Sequence, residues 1–220
     1  MRVIGVRGLR GGVGATSIVA GLAWAAARQG GRVLVVDLCQ DNLLGLHFGC
    51  PHDEQSGWSQ LTDPAQQWRD KVLNCAVDID LLAHGGAEVS DALDWLQQLS
   101  GYDLILLDMP PGLALPWLSL QLTVIHADAN CHVRLYRHQL APNERLLLTQ
   151  FSSRRALQQD LLELWLQAGL PILSVRLHRD EVMACALAAK QPAGAYAPES
   201  MIAHELTEIA SWCLRGELAQ

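Results

Sequence analysis

An α/β fold, with a mostly parallel sheet of about seven strands covered by helices on both faces, is predicted by three features of this 220-residue chain. Short apolar runs alternate with helical patterns along its length. A glycine-rich turn, Gly8 to Ser17, joins the first run to the first helical pattern, and two of the runs stop at an aspartate, Asp37 and Asp108. Parallel strands need crossovers, and the helical stretches between the runs supply them. No linker, internal repeat or low-complexity stretch interrupts the pattern, so residues 1–220 are expected to form one domain.

Val3 to Val6 is the first buried-strand run. Thr16 to Gln29 then places Ile18, Leu22, Ala25 and Ala26 on one helical face and closes at Gly30 and Gly31. Val33 to Val36 is the second strand and leads into Asp37, followed by a long segment from Leu38 to Gly57. Further strands are predicted over Ile79 to Leu82, Leu104 to Leu107, Leu122 to Ile125, Leu146 to Leu148 and Ile172 to Leu177. Helices are predicted over Pro64 to Asn74, Glu88 to Leu99, Ala129 to Gln139, Arg154 to Gln167, Glu181 to Lys190 and Glu199 to Leu214. Asp108 opens a rigid turn, Met-Pro-Pro-Gly at 109–112. Seven tryptophans against two phenylalanines are expected to serve mainly in helix–sheet packing.

Composition narrows the function classes. The chain is 50% hydrophobic with a mean hydropathy of +0.13, which suits a globular core. No apolar run reaches the roughly 18 residues of a membrane span, and the start enters a strand directly, so a cytoplasmic protein is expected. Trp212 to Gln220 carries no basic amphipathic helix, so contact with a membrane is expected only through partners. A net charge of −7 with dispersed basic residues disfavours direct nucleic-acid binding. Cys39, Cys50, Cys75, Cys131, Cys185 and Cys213 contain no C-x-x-C pair and fit reduced thiols. His126, His132, His138, His178 and His204 lack metal-ligand spacing.

The glycine turn and the two aspartates carry chemistry together. Gly11, Gly12 and Gly14 let the backbone pass close to a phosphate, their N–H groups converge on it, and the following helix adds the positive end of its dipole. Strand, glycine turn and helix in this order make a P-loop, which narrows the fold class to a P-loop NTPase. It departs from G-x-x-x-x-G-K-[ST] twice, with Leu9 at the first glycine and Ala15 at the lysine. Ligands of such sheets sit beyond the carboxyl ends of the strands, where Asp37 and Asp108 stand. Magnesium takes one or two carboxylates with phosphate oxygens and the P-loop hydroxyl, so Thr16, Asp37 and Asp108 are the metal candidates. Gly112 and the 38–57 segment are candidate switch elements.

Arg-Gly-Gly-Val-Gly-Ala-Thr-Ser (10–17) and Val-Leu-Val-Val-Asp-Leu-Cys-Gln-Asp-Asn-Leu-Leu (33–44) resemble the deviant Walker A ATPases that include MinD and ParA. Asp-Ala-Asn-Cys-His-Val-Arg-Leu (128–135), His-Arg-Asp-Glu (178–181) and Ala-Ala-Lys-Gln-Pro-Ala-Gly (188–194) resemble their bacterial cellulose synthesis branch. The resemblance implies ATP and Mg2+ as cofactors, with nucleotide contacts from Leu9, Arg10, Gly11, Gly12, Val13, Gly14, Ala15, Thr16, Ser17, Asp37, Asp108 and Pro192. It implies an ATP-dependent homodimer in which Arg10, at the signature lysine position, reaches the partner's phosphates. Cys39 replaces the hydrolytic carboxylate, and Asp41 is the nearby catalytic candidate. With Ala15 supplying no ammonium, binding is expected to outlast turnover. The implied role is an accessory subunit of the cellulose synthesis and secretion complex, working with the small BcsR subunit and other synthase proteins at the inner membrane. Division-site or flagellar placement and plasmid partition are the alternative roles.

Overall fold

The apolar runs become strands because nearly every residue in them is shielded on both faces. The computed structural model describes residues 1–51, 53, 56–88 and 93–216. In it β1 (Arg2–Gly8), β2 (Val33–Asp37), β3 (Val72–Ala76), β4 (Ile79–Leu82), β5 (Leu104–Met109), β6 (Leu120–His126) and β7 (Glu144–Thr149) form one sheet in the order β3-β4-β2-β5-β1-β6-β7. All neighbours are parallel except β3 and β4. The sheet is therefore mostly parallel, with its first strand near the middle.

Seven helical segments are α1 (Ala15–Arg28), α2 (Pro64–Gln67), α3 (Ala129–Arg137), α4 (Ala156–Gln167), α5 (Val182–Ala188), α6 (Ala193–Tyr196) and α7 (Met201–Arg215). On one face Ile18 and Leu22 of α1 and Ile209 of α7 share a core with Ile4, Val6, Val33 and Leu106. The two helices approach so closely that a Cβ on Gly21 would lie 2.6 Å from Leu206 Cδ1. On the other face Trp58, Trp68 and Trp95 pack on Leu34, Val36, Ile105 and Leu107. Leu161 and Trp165 of α4 cover Ile125, Leu146 and Leu148. Each fully buried Leu or Ile contributes about 1.5–3 kcal/mol. The tryptophans thus serve in packing as expected.

The seventh strand is not where the sequence places it. Ile172 to Leu177 meets β7 at one isolated bridge, Leu146 to Ile172, and a second bridge, Phe151 to His178, lies just past the ends of both segments. Its run is apolar because it lies under the fold, with Leu173 and Leu177 buried, and not because it pairs continuously. The sheet instead gains β3, inside the helix expected over Pro64 to Asn74. That helix stops after α2, continues as a 3-10 turn over Trp68–Lys71, and gives way to an edge strand. A tight reversal, with Asp78 at φ 62, pairs β3 antiparallel with β4. As a half-exposed edge strand β3 has no continuous apolar run to announce it. In the helix expected over Glu88 to Leu99, residues 89–92 lie outside the described residues, and Asp94–Gln98 forms a 3-10 helix. No helix of the described residues is long and apolar enough to cross a membrane.

One ion pair sits inside the layers. Arg7 of β1 and Glu144 of β7 are both buried, 3.4 Å apart, across the intervening β6. Thr123 of β6 donates to Glu144, and Arg7 Nε donates to Thr123 Oγ1 at 3.3 Å. Burial alone raises the Glu144 carboxyl, but Thr123, His138 and the Ala141 N–H outweigh it and hold the group below its ordinary range.

Candidate functional site

The carboxyl ends of β1, β2 and β5 meet at one cavity, because these three are central neighbours in the sheet. β1 passes into the glycine loop and the loop into α1. Gly12 and Gly14 take φ of 74° and 87°, values that suit glycine and not a residue with a Cβ. No side chain caps α1, whose N-cap is Gly14, so its first N–H groups stay available to an anion. A Cβ on Gly11 or Gly14 would meet nothing within 4 Å, so these glycines border open space. The cavity holds about 290 Å³ and is lined by the loop from Arg10 to Thr16, with Cys39, Asp41, Leu43, Asp108, Met109 and Pro111.

Asp37 and Asp108 occupy paired positions on β2 and β5 and are shielded from water. They differ in how they are satisfied. Asp37 accepts the Cys39 N–H at 2.9 Å and the Leu44 N–H at 3.0 Å, one on each oxygen. Burial pushes its carboxyl up to about 6 in spite of those bonds. Asp108 takes a hydrogen bond from the Thr16 hydroxyl, and its Oδ2 is buried with no partner among the described residues. Burial first, and then the neighbouring Asp37, push the Asp108 carboxyl up to about 8. The Cys39 thiol donates to the Asp108 carbonyl at 3.7 Å and is itself pushed up by burial. One ligand atom from each of Asp37, Cys39 and Asp108 falls within 4.8 Å of the others, the one such group among the described residues.

The family model described as "Cellulose biosynthesis protein BcsQ" matches residues 1–214. The chain belongs to the BcsQ family. The BcsQ of Escherichia coli K12 is 39% identical over 236 aligned residues, covering 97% of this chain and 94% of the relative. That of Salmonella typhi is 37% identical over the same shares. Among solved structures, the MinD cell division protein of Aquifex aeolicus superposes with a TM-score of 0.78 at 15% identity, covering 100% of this chain and 99% of that one. The septum site-determining protein MinD of Pyrococcus horikoshii, complexed with Mg-ADP, gives 0.75 at 22% identity, covering 95% and 94%. These structural likenesses show the fold.

In this BcsQ-family chain the structure assembles most of the expected residues and leaves some outside. Arg10, Gly11, Gly12, Val13, Gly14, Ala15, Thr16, Asp41 and Asp108 line the cavity. Asp37, beside Asp108 on the neighbouring strand, does not line it, and its hydrogen bonds instead pin the start of the 38–57 segment. Leu9 turns toward a neighbouring groove, and the Ser17 hydroxyl meets His47 Nε2 at 3.3 Å. Pro192 is buried at the start of α6 and lines no part of the cavity. Arg10 does not point freely outward. Its guanidinium donates to Asp128 Oδ2 at 2.5 Å and to the Gly11 carbonyl at 2.8 Å.

Asp128 is the residue that the sequence reading of the site missed. It caps α3 by accepting the Cys131 N–H at 2.7 Å, and His126 Nδ1 lies 2.9 Å from its Oδ2. Burial alone raises its carboxyl, but these bonds and Arg10 prevail and hold it well below the ordinary carboxylate range. The Asp-x-x-Cys spacing ahead of a helix is an N-cap signal, yet nothing in the sequence joins it to a loop more than a hundred residues earlier.

Proposed function

We propose that this chain is an ATP-binding accessory subunit of bacterial cellulose synthesis that forms a homodimer with ATP and turns it over slowly or not at all. One observation carries the nucleotide reading: the partnerless buried oxygen of Asp108 beside the Thr16 hydroxyl, in a cavity walled by the glycine loop. A magnesium ion fits that oxygen and that hydroxyl, and it would relieve two adjacent buried carboxylates. Bound Mg-ATP would supply a cation and a chain of phosphates. The loop N–H groups hold the phosphates, Thr16 and Asp108 orient the ion, and Asp37 backs Asp108.

Slow turnover follows from what the cavity lacks. Ala15 offers no ammonium to the transferring phosphate, and Cys39, whose thiol burial keeps protonated, cannot orient water as a carboxylate does. Asp41, exposed at the rim, is the remaining acidic candidate for that role. The working state is then the ATP-bound dimer, in which Arg10 contacts the partner's phosphates. The family supports the setting: a cytoplasmic protein brought to the inner-membrane synthase complex by BcsR and other synthase proteins.

Titration with a fluorescent ATP analogue tests the metal assignment. Thr16→Ala should weaken binding in magnesium and change little in excess chelator. An equal loss in both conditions overturns that assignment. Phosphate release tests the turnover. The double variant Ala15→Lys with Cys39→Asp should release phosphate faster than the natural chain. Wild-type turnover on the order of 0.01 per second or faster, as in ordinary P-loop enzymes, refutes slow turnover.

A further inference from the structure

Beside the nucleotide cavity, and sharing Gly8 and Pro111 with it, runs a second and larger hollow of about 940 Å³. One wall is α3, which presents Asn130, Val133, Arg134 and Arg137 to it at helical spacing, and the floor holds Arg7 and His138. Two properties set this face apart from the rest of an acidic chain. It is cationic without compensation: Glu144, buried, answers Arg7 and His138, whereas Arg134 and Arg137 are exposed and form no ion pair among the described residues. It is also apolar where it should be wet: Val133, which lines the hollow, is 51% exposed, and Tyr136, outside the lining but beside it on the same nine-residue helix, is 91% exposed. Arginine and tyrosine around exposed aliphatic carbon is the composition of interface centres.

We infer that the groove along α3 docks an acidic, partly apolar segment of a partner protein, with Arg134 and Arg137 pairing its carboxylates, Val133 packing its apolar side chains in the groove, and Tyr136 extending that contact over the adjacent helix surface. A free small anion fits less well. Arg134 Nε is already turned to Asn130 Oδ1 at 2.7 Å, and Arg134 and Arg137 lie three residues apart along one helix, so their charges follow each other in a row. A second copy fits less well too, because a two-fold axis near α3 would set these arginines against their own equivalents. Carboxylates spaced along a peptide match arginines spaced along a helix, and fork geometry favours them. The assignment is independent of the nucleotide reading, since neither arginine lines the nucleotide cavity.

The test is fluorescence anisotropy of a fluorescein-labelled Glu-Leu-Leu-Glu-Asp-Phe-Leu-Glu peptide titrated with the full chain in low salt without nucleotide. Saturable binding is expected, weakened about tenfold or more by Arg134→Glu with Arg137→Glu, which corresponds to about 1.4 kcal/mol. Arg134→Lys with Arg137→Lys should retain most of it, and the same peptide with lysines for its acidic residues should not bind. Both pairs lie on an exposed helix face, and an unchanged urea midpoint and unchanged Mg-ATP affinity confirm that fold and nucleotide site are intact. Absent peptide binding, or binding indifferent to the charge reversal, overturns the inference. So does a charge-reversal effect seen only on binding to anionic phosphatidylglycerol vesicles, or only on self-association in light scattering.

Discussion

Two carboxylates side by side and out of water govern the energetics of the site. A buried Asp108 displaced upward to about 8 binds a proton more readily in the folded chain than in the unfolded one. Its folded state is therefore favoured at low pH, and that advantage drains away as pH rises from the ordinary carboxylate value near 3.8 toward 8. Asp37, displaced to about 6, adds to the same slope over the lower part of the window. At about 1.4 kcal/mol per unit, the displacement of Asp108 alone corresponds to about 6 kcal/mol. Urea midpoints of the nucleotide-free protein should fall between pH 5 and about pH 8. Asp108→Asn should flatten the slope and raise stability at pH 8, while weakening Mg-ATP binding. A stability loss at pH 8 in that variant would show that the Asp108 charge is compensated in the free protein. The positions of both aspartates at strand ends were legible from the sequence. Their unequal satisfaction was not, because the N–H groups on Asp37 come from the fold of the next loop.

At the scale of elements, a charge network locks β1, β6 and β7 together. Arg7, Thr123 and Glu144 sit one on each strand, and His138 after α3 adds a contact to Glu144 at 2.8 Å. Removing one member strands the other charge in the core. Glu144→Ala should cost about 3–5 kcal/mol, read as a drop in the chemical unfolding midpoint. Pairing it with Arg7→Met should recover much of that loss, since the orphaned charge then disappears. Nothing local in the sequence joins Arg7 to its partner in a strand 137 residues on. The same limit explains β3. Local apolar pattern marks central strands, and an edge strand with one wet face carries little of it.

For the whole molecule, the contact that bears on the proposed dimer is the pair of Arg10 with Asp128. Arg10 is held within its own subunit by Asp128, so a reach to a partner's phosphates competes with that pair. ATP with magnesium should raise the dimer population more than ADP does, as read by light scattering. Arg10→Ala should reduce dimerisation more than monomer ATP binding. Asp128→Asn keeps the cap on α3 while removing the charge, and it should raise the dimer fraction at a given ATP concentration. An unchanged dimer fraction in the Asp128 variant would mean that Arg10 leaves its site at no measurable cost.

The sequence by itself determined the central strands, the helices that cross between them, the glycine loop and the two strand-end aspartates. Each is written in residues close together in the chain: a burial pattern of period two or 3.6, a run of glycines, an acid where apolarity stops. Tertiary structure decided the rest. It put Asp108 and not Asp37 at the wall of the glycine-loop cavity, tied Arg10 to Asp128, left Pro192 away from that cavity, and chose Val72–Ala76 over 172–177 as the seventh strand. Those outcomes depend on which distant groups pair once layers close, and pairing between elements has no local signature.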